Sequence, residues 1–307
     1  MCKNMLPIFP NFKNLEITDK PDLEKITAQF PPYSDFNFVS LWSYNTLEDF
    51  QLSLLNGNLV LRMNDYITLE PFYTFIGIEN VTETIRTLLQ FSQDRIQRSE
   101  LRVIPEIDLS KDAQRLHAEF DIFEDRDCFD YIYSLDLLVA AEGGQYKVLR
   151  NMLSKFVRTV SSYSLTLVDL QDENVQQQII ELIHVWGAAQ GREKDEIENE
   201  LNGVKRLLDS SQYLNLICLC LYIEDHLKAF FISEKTHDEY AMAHFRKADP
   251  SFPGIFQFID YENAKYMKLL GCKFLNYEQD LGIPNLVKSK QSLHPVKYLK
   301  KYKITLK

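Results

Sequence analysis

The chain has 307 residues with 34 Lys or Arg and 44 Asp or Glu, so its formal net charge is −10. Hydrophobic residues make up 45% and charged residues 25%, with only 10 Gly and 11 Pro, which excludes collagen-like and largely disordered chains. The acidic total also argues against indiscriminate nucleic-acid binding.

Membrane insertion and secretion have no support in the sequence. No uncharged apolar stretch reaches the roughly 20 residues of a membrane helix, and residues 1–12 lack the apolar core of a signal peptide. We therefore expect no transmembrane segment and a cytoplasmic location. The five cysteines are odd in number and widely spread apart from Cys218 and Cys220, which lie two residues apart, and this favours buried thiols over disulfides. The six histidines show no ligand spacing, so we expect no metal site.

The first half of the chain predicts short helices and strands in alternation. Asn56-Gly57 between two apolar runs is a strong hairpin signal. In chain order we expect a helix from about residue 34, the two hairpin strands, a strand at ITLEPFYTF, a helix over 81–93, a strand at LRVIPEI, a helix at KDAQRLHAEF and a strand at FDYIYSL.

The second half shows a clearer order of elements. Gly271 is expected to end its last long helix. The predicted elements are a helix over 148–160, a strand at YSLTLVDL, helices over 175–189 and 192–211, antiparallel strands over 214–223, 227–235 and 239–248, a helix over 255–270, a strand at CKFLNYEQD, a helix over 285–291 and one or two strands in the tail.

This alternation predicts an α/β protein with a mixed sheet flanked by helices. The first half repeats the order of the second more roughly, without a repeat in the sequence itself. We therefore predict an N-terminal domain over residues 1–135 and a C-terminal domain over 136–307 that carries the functional site.

The second-half order β–α–α–β–β–β–α–β resembles the Gcn5-type N-acyltransferase superfamily. In that fold the strand before the main helix diverges from its neighbour, and the following helix N-terminus holds an anionic donor. Acetyl-CoA members usually carry Q/R-x-x-G-x-G/A in the intervening loop. Here the loop DPSFPG has only Gly254, preceded by Pro253, which has no N–H to donate. This difference disfavours coenzyme A as the donor.

Three stretches resemble a more specific family: YSDFNFVSLW, YIYSLDLLVAAEGGQYKVLRNMLSKF and FLNYEQDLGIPNLVKSKQSLHP. They are similar to soluble relatives of the phosphatidylglycerol lysyltransferase C-terminal domain, and the resemblance runs over about residues 33–302. It implies two tandem Gcn5-type N-acyltransferase-like domains. It also implies transfer of an amino acid from aminoacyl-tRNA to a lipid headgroup or, in structurally similar proteins, to a peptidoglycan peptide.

Three residues are predicted to be catalytic: Asp280, Glu278 and His244. Asn276, Glu278 and Asp280 alternate along a strand and so share a face, where a carboxylate could bind the donor's α-amine or accept a proton from the attacking amine. The alternative for Asp280 is a role in the turn that follows. His244 could act as a base or a hydrogen-bond donor, and its alternative is a satisfied, half-buried histidine.

Substrate binding is predicted for a second group of residues. Lys147, Arg150 and Asn151 fall at i, i+3 and i+4 on one helix face, where they could hold a phosphate or carboxylate. The alternative is surface charge or an internal ion pair. Two basic segments without acids, residues 143–168 and 281–307, also suggest a local anion site, against the alternative of solvated lysines. The other predicted substrate-binding residues are Glu234, Tyr240, Arg246, Asn276, Lys288 and Lys290.

Two functions fit these observations. The first is an aminoacyl- or acyltransferase that moves an activated acyl group onto an amine or hydroxyl of a small molecule, peptide or lipid headgroup. Its donor would be aminoacyl-tRNA or, less favoured, acyl-CoA, with tRNA as a partner and no further cofactor. The second is a non-catalytic small-molecule or anion-binding module that kept the cleft and lost the chemistry.

Overall fold

A computed structural model describes residues 6–111, 113–191 and 194–307 of the chain. The first two positions of the helix predicted over 192–211 lie outside the described residues, as does Cys2. The other four cysteines are buried free thiols. Among the residues so described, every helix is too short or too polar to cross a membrane.

Each predicted element has a counterpart in the structure, which adds short elements such as β6 and α6. The helices are α1 (Lys20–Thr27), α2 (Phe38–Tyr44), α3 (Val81–Ile96), α4 (Glu106–Leu109), α5 (Ala113–Glu119), α6 (Leu135–Ala140), α7 (Lys147–Thr159), α8 (Glu173–Ala189), α9 (Lys194–Asp209), α10 (Ile255–Leu269) and α11 (Pro284–Gln291). The strands are β1 (Lys13–Asn14), β2 (Gln51–Leu55), β3 (Asn58–Asn64), β4 (Pro71–Ile76), β5 (Glu100–Pro105), β6 (Phe120–Glu124), β7 (Asp130–Ser134), β8 (Ser164–Val168), β9 (Leu216–Ile223), β10 (His226–Lys235), β11 (Tyr240–Ala248), β12 (Phe274–Asn276), β13 (Lys297–Leu299) and β14 (Lys301–Leu306).

The chain forms two compact units, and the C-terminal part contributes to both. Unit 1 comprises the chain up to Asp130 with Gln279–Val287 and Tyr298–Lys307. Unit 2 comprises Tyr131–Glu278 with Lys288–Lys297. The first change from unit 1 to unit 2 follows Asp130, close to the predicted boundary at residue 135. Two segments near the C-terminus nevertheless belong to unit 1. Whether residues 1–135 and 136–307 are separate folding domains stays a prediction.

Unit 1 contains two antiparallel sheets with the strand orders β1–β2–β3–β4 and β5–β14–β6. The predicted hairpin joins β2 to β3, and Asn56 and Gly57 at its turn have positive φ angles of 56° and 88°, as a type I′ turn requires. Helix α3 packs on β4 and β5 through an apolar stripe in which Ile85 and Leu88 are fully buried. Each such side chain contributes about 1.5–3 kcal/mol on burial.

A buried lysine joins the last strand of unit 1 to its N-terminal part. Lys301 on β14 is fully buried, contacts the carboxylate of Asp35 and lies 2.7 Å from an oxygen of Asp130. It also donates to the hydroxyl of Ser34 at 3.1 Å. Burial lowers the pKa of Lys301, but the two carboxylates outweigh it and hold that pKa above its usual range. This lysine of the basic tail is therefore a charged structural residue.

Unit 2 is built on a seven-stranded sheet with the order β13–β7–β12–β11–β10–β9–β8, on which α8 and α10 pack. Strands β11 and β12 run parallel but pair over only three positions, from Tyr240 with Phe274 to Met242 with Asn276. On its other edge β12 pairs with β7 throughout, and the N–H of Tyr277 continues that pairing by donating to the carbonyl of Tyr131 at 2.9 Å. The pairing of β11 with β12 thus ends at Met242 and Asn276, while β11 continues to Ala248.

Candidate active site

A bulge in β11 lies just beyond the last position at which this strand pairs with β12. Ile232 pairs with Phe245 and the next residue, Ser233, pairs with Ala243, so His244 is an extra residue in the ladder. A β-bulge breaks the alternation of side chains and turns the extra residue toward a new direction, which is why bulges recur beside active sites. The bulge thus explains how His244, in the middle of a regular strand, acquires its own environment.

His244 lies between two carboxylates. Its Nε2 is 3.2 Å from Oε1 of Glu234 on β10, and its Nδ1 is 3.4 Å from Oε1 of Glu278, just beyond β12. Burial lowers the pKa of His244, but the hydrogen bonds and charges of Glu234 and Glu278 outweigh it and raise the pKa to about 9. At neutral pH the ring is therefore an imidazolium that donates from both nitrogens, rather than a free base.

The backbone around Glu278 is held in a conformation that few residues adopt. Glu278 has a φ of 55°, and its N–H donates to the buried side chain of Asn276 at 2.8 Å. The carbonyl of Glu278 accepts from the N–H of Tyr131 at 3.2 Å. These contacts fix the Glu278 side chain toward His244, and its 13% exposure is the largest of the three side chains. The role of Asn276 in this geometry is to position the carboxylate.

A second charged group lies on β11, two residues after His244. Arg246 donates to one carboxylate oxygen of Asp260 on α10, and the Tyr277 hydroxyl donates to the other at 2.8 Å. The guanidinium also lies 5.1 Å from the ring centre of Phe256. Burial raises the pKa of Tyr277 well above its usual value, so its hydroxyl keeps its proton. Burial also raises the pKa of Asp260, because it outweighs the neighbouring cation.

The predicted cationic face of α7 is exposed. Lys147, Arg150 and Asn151 are all exposed on that helix. Arg150 donates to the carbonyls of Ala141 and Gly143, the latter at 2.8 Å, so it closes the loop before the helix. Arg150 therefore has an internal structural role. Anion binding by Lys147, Arg150 and Asn151 stays a prediction.

The remaining substrate-binding candidates differ in burial. Lys290 is buried, and its ammonium donates to the carbonyl of Tyr277 at 2.6 Å, whereas Lys288 is exposed. Tyr240 is buried against the ring of Phe274 with 5.1 Å between ring centres. Lys290 and Tyr240 are therefore parts of the packed interior of unit 2, and Lys288 is the accessible one of the three.

Asp280 belongs to unit 1, and its carboxylate has partners there. Its Oδ1 accepts from the N–H of Gly282 at 2.9 Å, and its Oδ2 lies 3.2 Å from Nη1 of Arg126. The side chain is only 1% exposed. These contacts match the turn role given above as its alternative, and a catalytic role for Asp280 stays a prediction.

Two residues of the site were not predicted from the sequence. Asp260 and Tyr277 complete the network around Arg246. The available signal was an acid next to the apolar stripe of the helix IFQFIDYENAKY, where a carboxylate needs a buried partner. Tyr277 lies in the predicted strand between the candidates Asn276 and Glu278, but no feature of the sequence indicated that it belongs to the site.

The N-terminus of α10 is closely packed. Gly254 precedes the helix with a φ of 89°, and a Cβ built on it would lie 2.3 Å from the carbonyl oxygen of Met152 in α7. Phe156 of α7 stacks on Phe258 of α10 with 4.4 Å between ring centres. Only glycine fits this close approach, and α7 occupies the space beside the loop. Within the described residues, no cluster of His, Cys, Asp and Glu could hold a metal ion.

Comparison with known proteins identifies the family. Residues 38–305 match the family model described as "Phosphatidylglycerol lysyltransferase, C-terminal". No curated protein matches the sequence. A conserved protein of unknown function from Bacteroides thetaiotaomicron has a similar structure, with a TM-score of 0.83 and 24% identity over 99% of this chain and 100% of that chain.

Two further structures are similar in fold. One is the C-terminal domain of a protein assigned as a candidate lysylphosphatidylglycerol synthetase from Agrobacterium fabrum, with a TM-score of 0.61 and 16% identity over 94% of this chain and 90% of that one. The other is a tandem GNAT protein from the clavulanic acid biosynthesis pathway, with a TM-score of 0.50 and 10% identity over 95% and 97%. The predicted α/β fold of tandem Gcn5-type N-acyltransferase-like domains is confirmed. The chain belongs to the phosphatidylglycerol lysyltransferase C-terminal family and carries an acyltransferase-like domain of the lysylphosphatidylglycerol synthase type.

Proposed function

We propose that the chain transfers an aminoacyl group from an aminoacyl-tRNA donor to an amine or hydroxyl acceptor, at the place where the pairing of β11 with β12 ends. The observation that carries this proposal is the Glu234–His244–Glu278 group at the bulge, which is largely buried and in which Glu278 is the most exposed side chain. A buried cluster of ionisable groups with a perturbed pKa is typical of a functional site. Family membership supports the reaction class.

Glu278 is the proposed proton acceptor. His244 is already protonated at neutral pH and donates to both carboxylates, so it cannot accept a further proton. Its role is to orient Glu278 and to balance the charge of the two carboxylates. The acceptor's amine or hydroxyl attacks the ester carbonyl, its proton passes to Glu278, and the ester C–O bond breaks. Glu278 then returns the proton to the departing ribose hydroxyl of the tRNA.

The donor preference follows from the N-terminus of α10. Glycine-rich loops at this position let the backbone approach a pyrophosphate, whereas here Gly254 packs on the backbone of α7. This packing disfavours coenzyme A as the donor and leaves aminoacyl-tRNA as the preferred one. Such a donor is available in the cytoplasm, which is the location we propose.

The acceptor is proposed more broadly. The name of the Agrobacterium fabrum relative points to phosphatidylglycerol, and an amine of a small molecule or peptide fits the same chemistry. A lipid headgroup and a free amine therefore enter the test as separate acceptors.

The test is a transfer assay with the purified chain. Radiolabelled aminoacyl-tRNAs and acetyl-CoA are offered as donors, and phosphatidylglycerol vesicles or soluble amines as acceptors. We expect multiple-turnover transfer from aminoacyl-tRNA, and Glu278→Gln is expected to reduce it by about 10²–10⁴-fold. Glu262→Gln, which removes a carboxylate paired with Lys265 on α10, is the matched control and is expected to keep full activity.

Three results would contradict the proposal. Transfer from acetyl-CoA and not from aminoacyl-tRNA would show that the proposed donor is wrong. Undiminished turnover by a folded Glu278→Gln protein would show that Glu278 is not the proton acceptor. Ligand binding without turnover on any donor would favour the non-catalytic binding module.

A further inference from the structure

Strand β8 is one of the two outer strands of the unit 2 sheet, and its sequence has none of the charges or prolines that protect a strand edge. On one side it pairs with β9 along its whole length, from Ser164 with Tyr222 to Val168 with Cys218. On its other side the sheet ends, as far as the described residues show. Residues 159–168, TVSSYSLTLV, contain no charged residue and no proline. Thr166 is exposed, and Leu167 is 46% exposed.

The other outer strands of the described chain differ from β8 in this respect. Proteins protect exposed strand edges with charges, prolines or short strands, because a bare edge pairs with another chain. Each of the other outer strands carries at least one such residue: Lys13 in β1, Pro71 in β4, Glu100 and Arg102 in β5, Asp121 and Glu124 in β6, and Lys297 in β13. The bare edge of β8 is therefore a local feature that calls for a partner strand.

The charges on either side of β8 indicate which partner fits. Before the strand, the last two turns of α7 present Lys155 and Arg158, both exposed. After it, Asp169 and Glu173 are exposed where the chain enters α8. The strand thus has a basic end and an acidic end. A second β8 running antiparallel would place each basic end beside an acidic end, whereas a parallel one would oppose like charges.

We propose that a second copy of this chain pairs antiparallel with β8 and continues the sheet across a two-fold axis at Thr166. In this register Thr166 lies opposite its own counterpart, Leu165 opposite Leu167 and Ser164 opposite Val168, with strands about 4.8 Å apart. All facing pairs are then uncharged. The self-complementary sequence and the two charge pairs repeated by the axis are the properties of an isologous interface. This inference is independent of the proposed transfer reaction.

The test measures the molar mass of the chain in solution by light scattering and sedimentation, from about 1 to about 100 µM. We expect a dimer that weakens as salt rises. Thr166→Lys places two like charges opposite each other on the axis and is expected to weaken the dimer at least about 30-fold. Gln90→Lys adds the same charge at an exposed position of α3 in unit 1 and is the matched control. Circular dichroism and thermal unfolding establish that each variant is folded.

Charge reversal outside the strand gives a second test that does not depend on Thr166→Lys folding. Arg158→Glu and Glu173→Arg should each weaken the dimer, and the two together should restore most of the affinity. A wild-type chain that stays monomeric over the whole range overturns the proposal. A dimer of unchanged affinity in Thr166→Lys also overturns it. A double charge reversal that weakens the dimer more than either single reversal rules out the antiparallel orientation.

Discussion

The charge of His244 gives the most direct test of the candidate site. The two flanking carboxylates raise its pKa from 6.5 to about 9, against the effect of burial. A shift of this size corresponds to about 3 kcal/mol of preference for the imidazolium over the neutral ring. Glu234→Gln removes one charge and one charge-accepting hydrogen bond at 3.2 Å while the ring stays buried. We therefore expect the His244 pKa to fall by about 1–3 units in that variant.

The assay is an NMR titration of the imidazole resonances, with His244 assigned by its loss in His244→Gln. Glu262→Gln, which removes a carboxylate paired with Lys265 elsewhere on the unit, is the control and should leave the His244 pKa unchanged. A wild-type midpoint at or below 6.5 would refute the reasoning, because burial would then outweigh both carboxylates. An unchanged midpoint in Glu234→Gln would likewise show that this carboxylate does not set the charge.

The same shift makes stability depend on pH. A group whose pKa is raised in the folded state stabilises fully below its unfolded pKa and loses that contribution as the pH rises through the folded one. The wild-type chain should therefore lose up to about 3 kcal/mol relative to His244→Gln between pH 6.5 and pH 9. Urea unfolding of both proteins across this range measures the difference, and two parallel pH profiles would contradict it.

Three further predictions concern stability and can be checked by urea unfolding. Lys301→Met should cost about 3–5 kcal/mol, because it leaves two carboxylates buried without their cation; a cost under 1 kcal/mol would contradict the role of Lys301 as their counter-charge. Gly254→Ala should destabilise the chain by more than 1 kcal/mol, because a Cβ there meets the α7 backbone. Gly144→Ala is the control and should be close to neutral, because nothing lies within 4 Å of a Cβ at that position. Burial raises the pKa of Asp108 well above its usual value, and its Oδ2 has no partner among the described residues, so Asp108→Asn should stabilise the chain at pH 7 and lose that advantage toward pH 4; equal stability at both values would contradict the shift.

The order of elements could be predicted because it depends on local patterns. The helical spacing of Ile85 and Leu88 and the Asn56-Gly57 turn each specify an element through nearest neighbours alone. Short elements such as α6 were missed because a six-residue helix has too few turns to show a period. Its stability comes from its packing against α10, which the sequence does not display.

The three residues of the Glu234–His244–Glu278 group were selected from the sequence, but the contacts among them were not predicted. Glu234 and His244 were selected beside the central strands, and Glu278 because it alternates with Asn276 and Asp280 along a predicted strand. In the structure that strand ends at Asn276, and the three side chains Glu234, His244 and Glu278 lie together. Substrate binding by Arg246 stays a prediction, and the sequence did not indicate that its guanidinium donates to Asp260. A sequence shows which residues are charged and which strand they are on, and it does not show which opposite charge lies across from each of them.

The sequence by itself determined the fold class, the family resemblance and the list of polar residues at strand ends, because periodicity and composition act over a few positions. Only the tertiary structure decided which lysines of the basic tail are buried, as Lys301 is, and which stay exposed, as Lys288 does. It also decided the charge of His244, since a single extra residue in β11 places the ring between one carboxylate from β10 and another from the segment after β12. Burial and electrostatic pairing depend on neighbours that are distant in the chain, so both are settled only when the sheet closes around them.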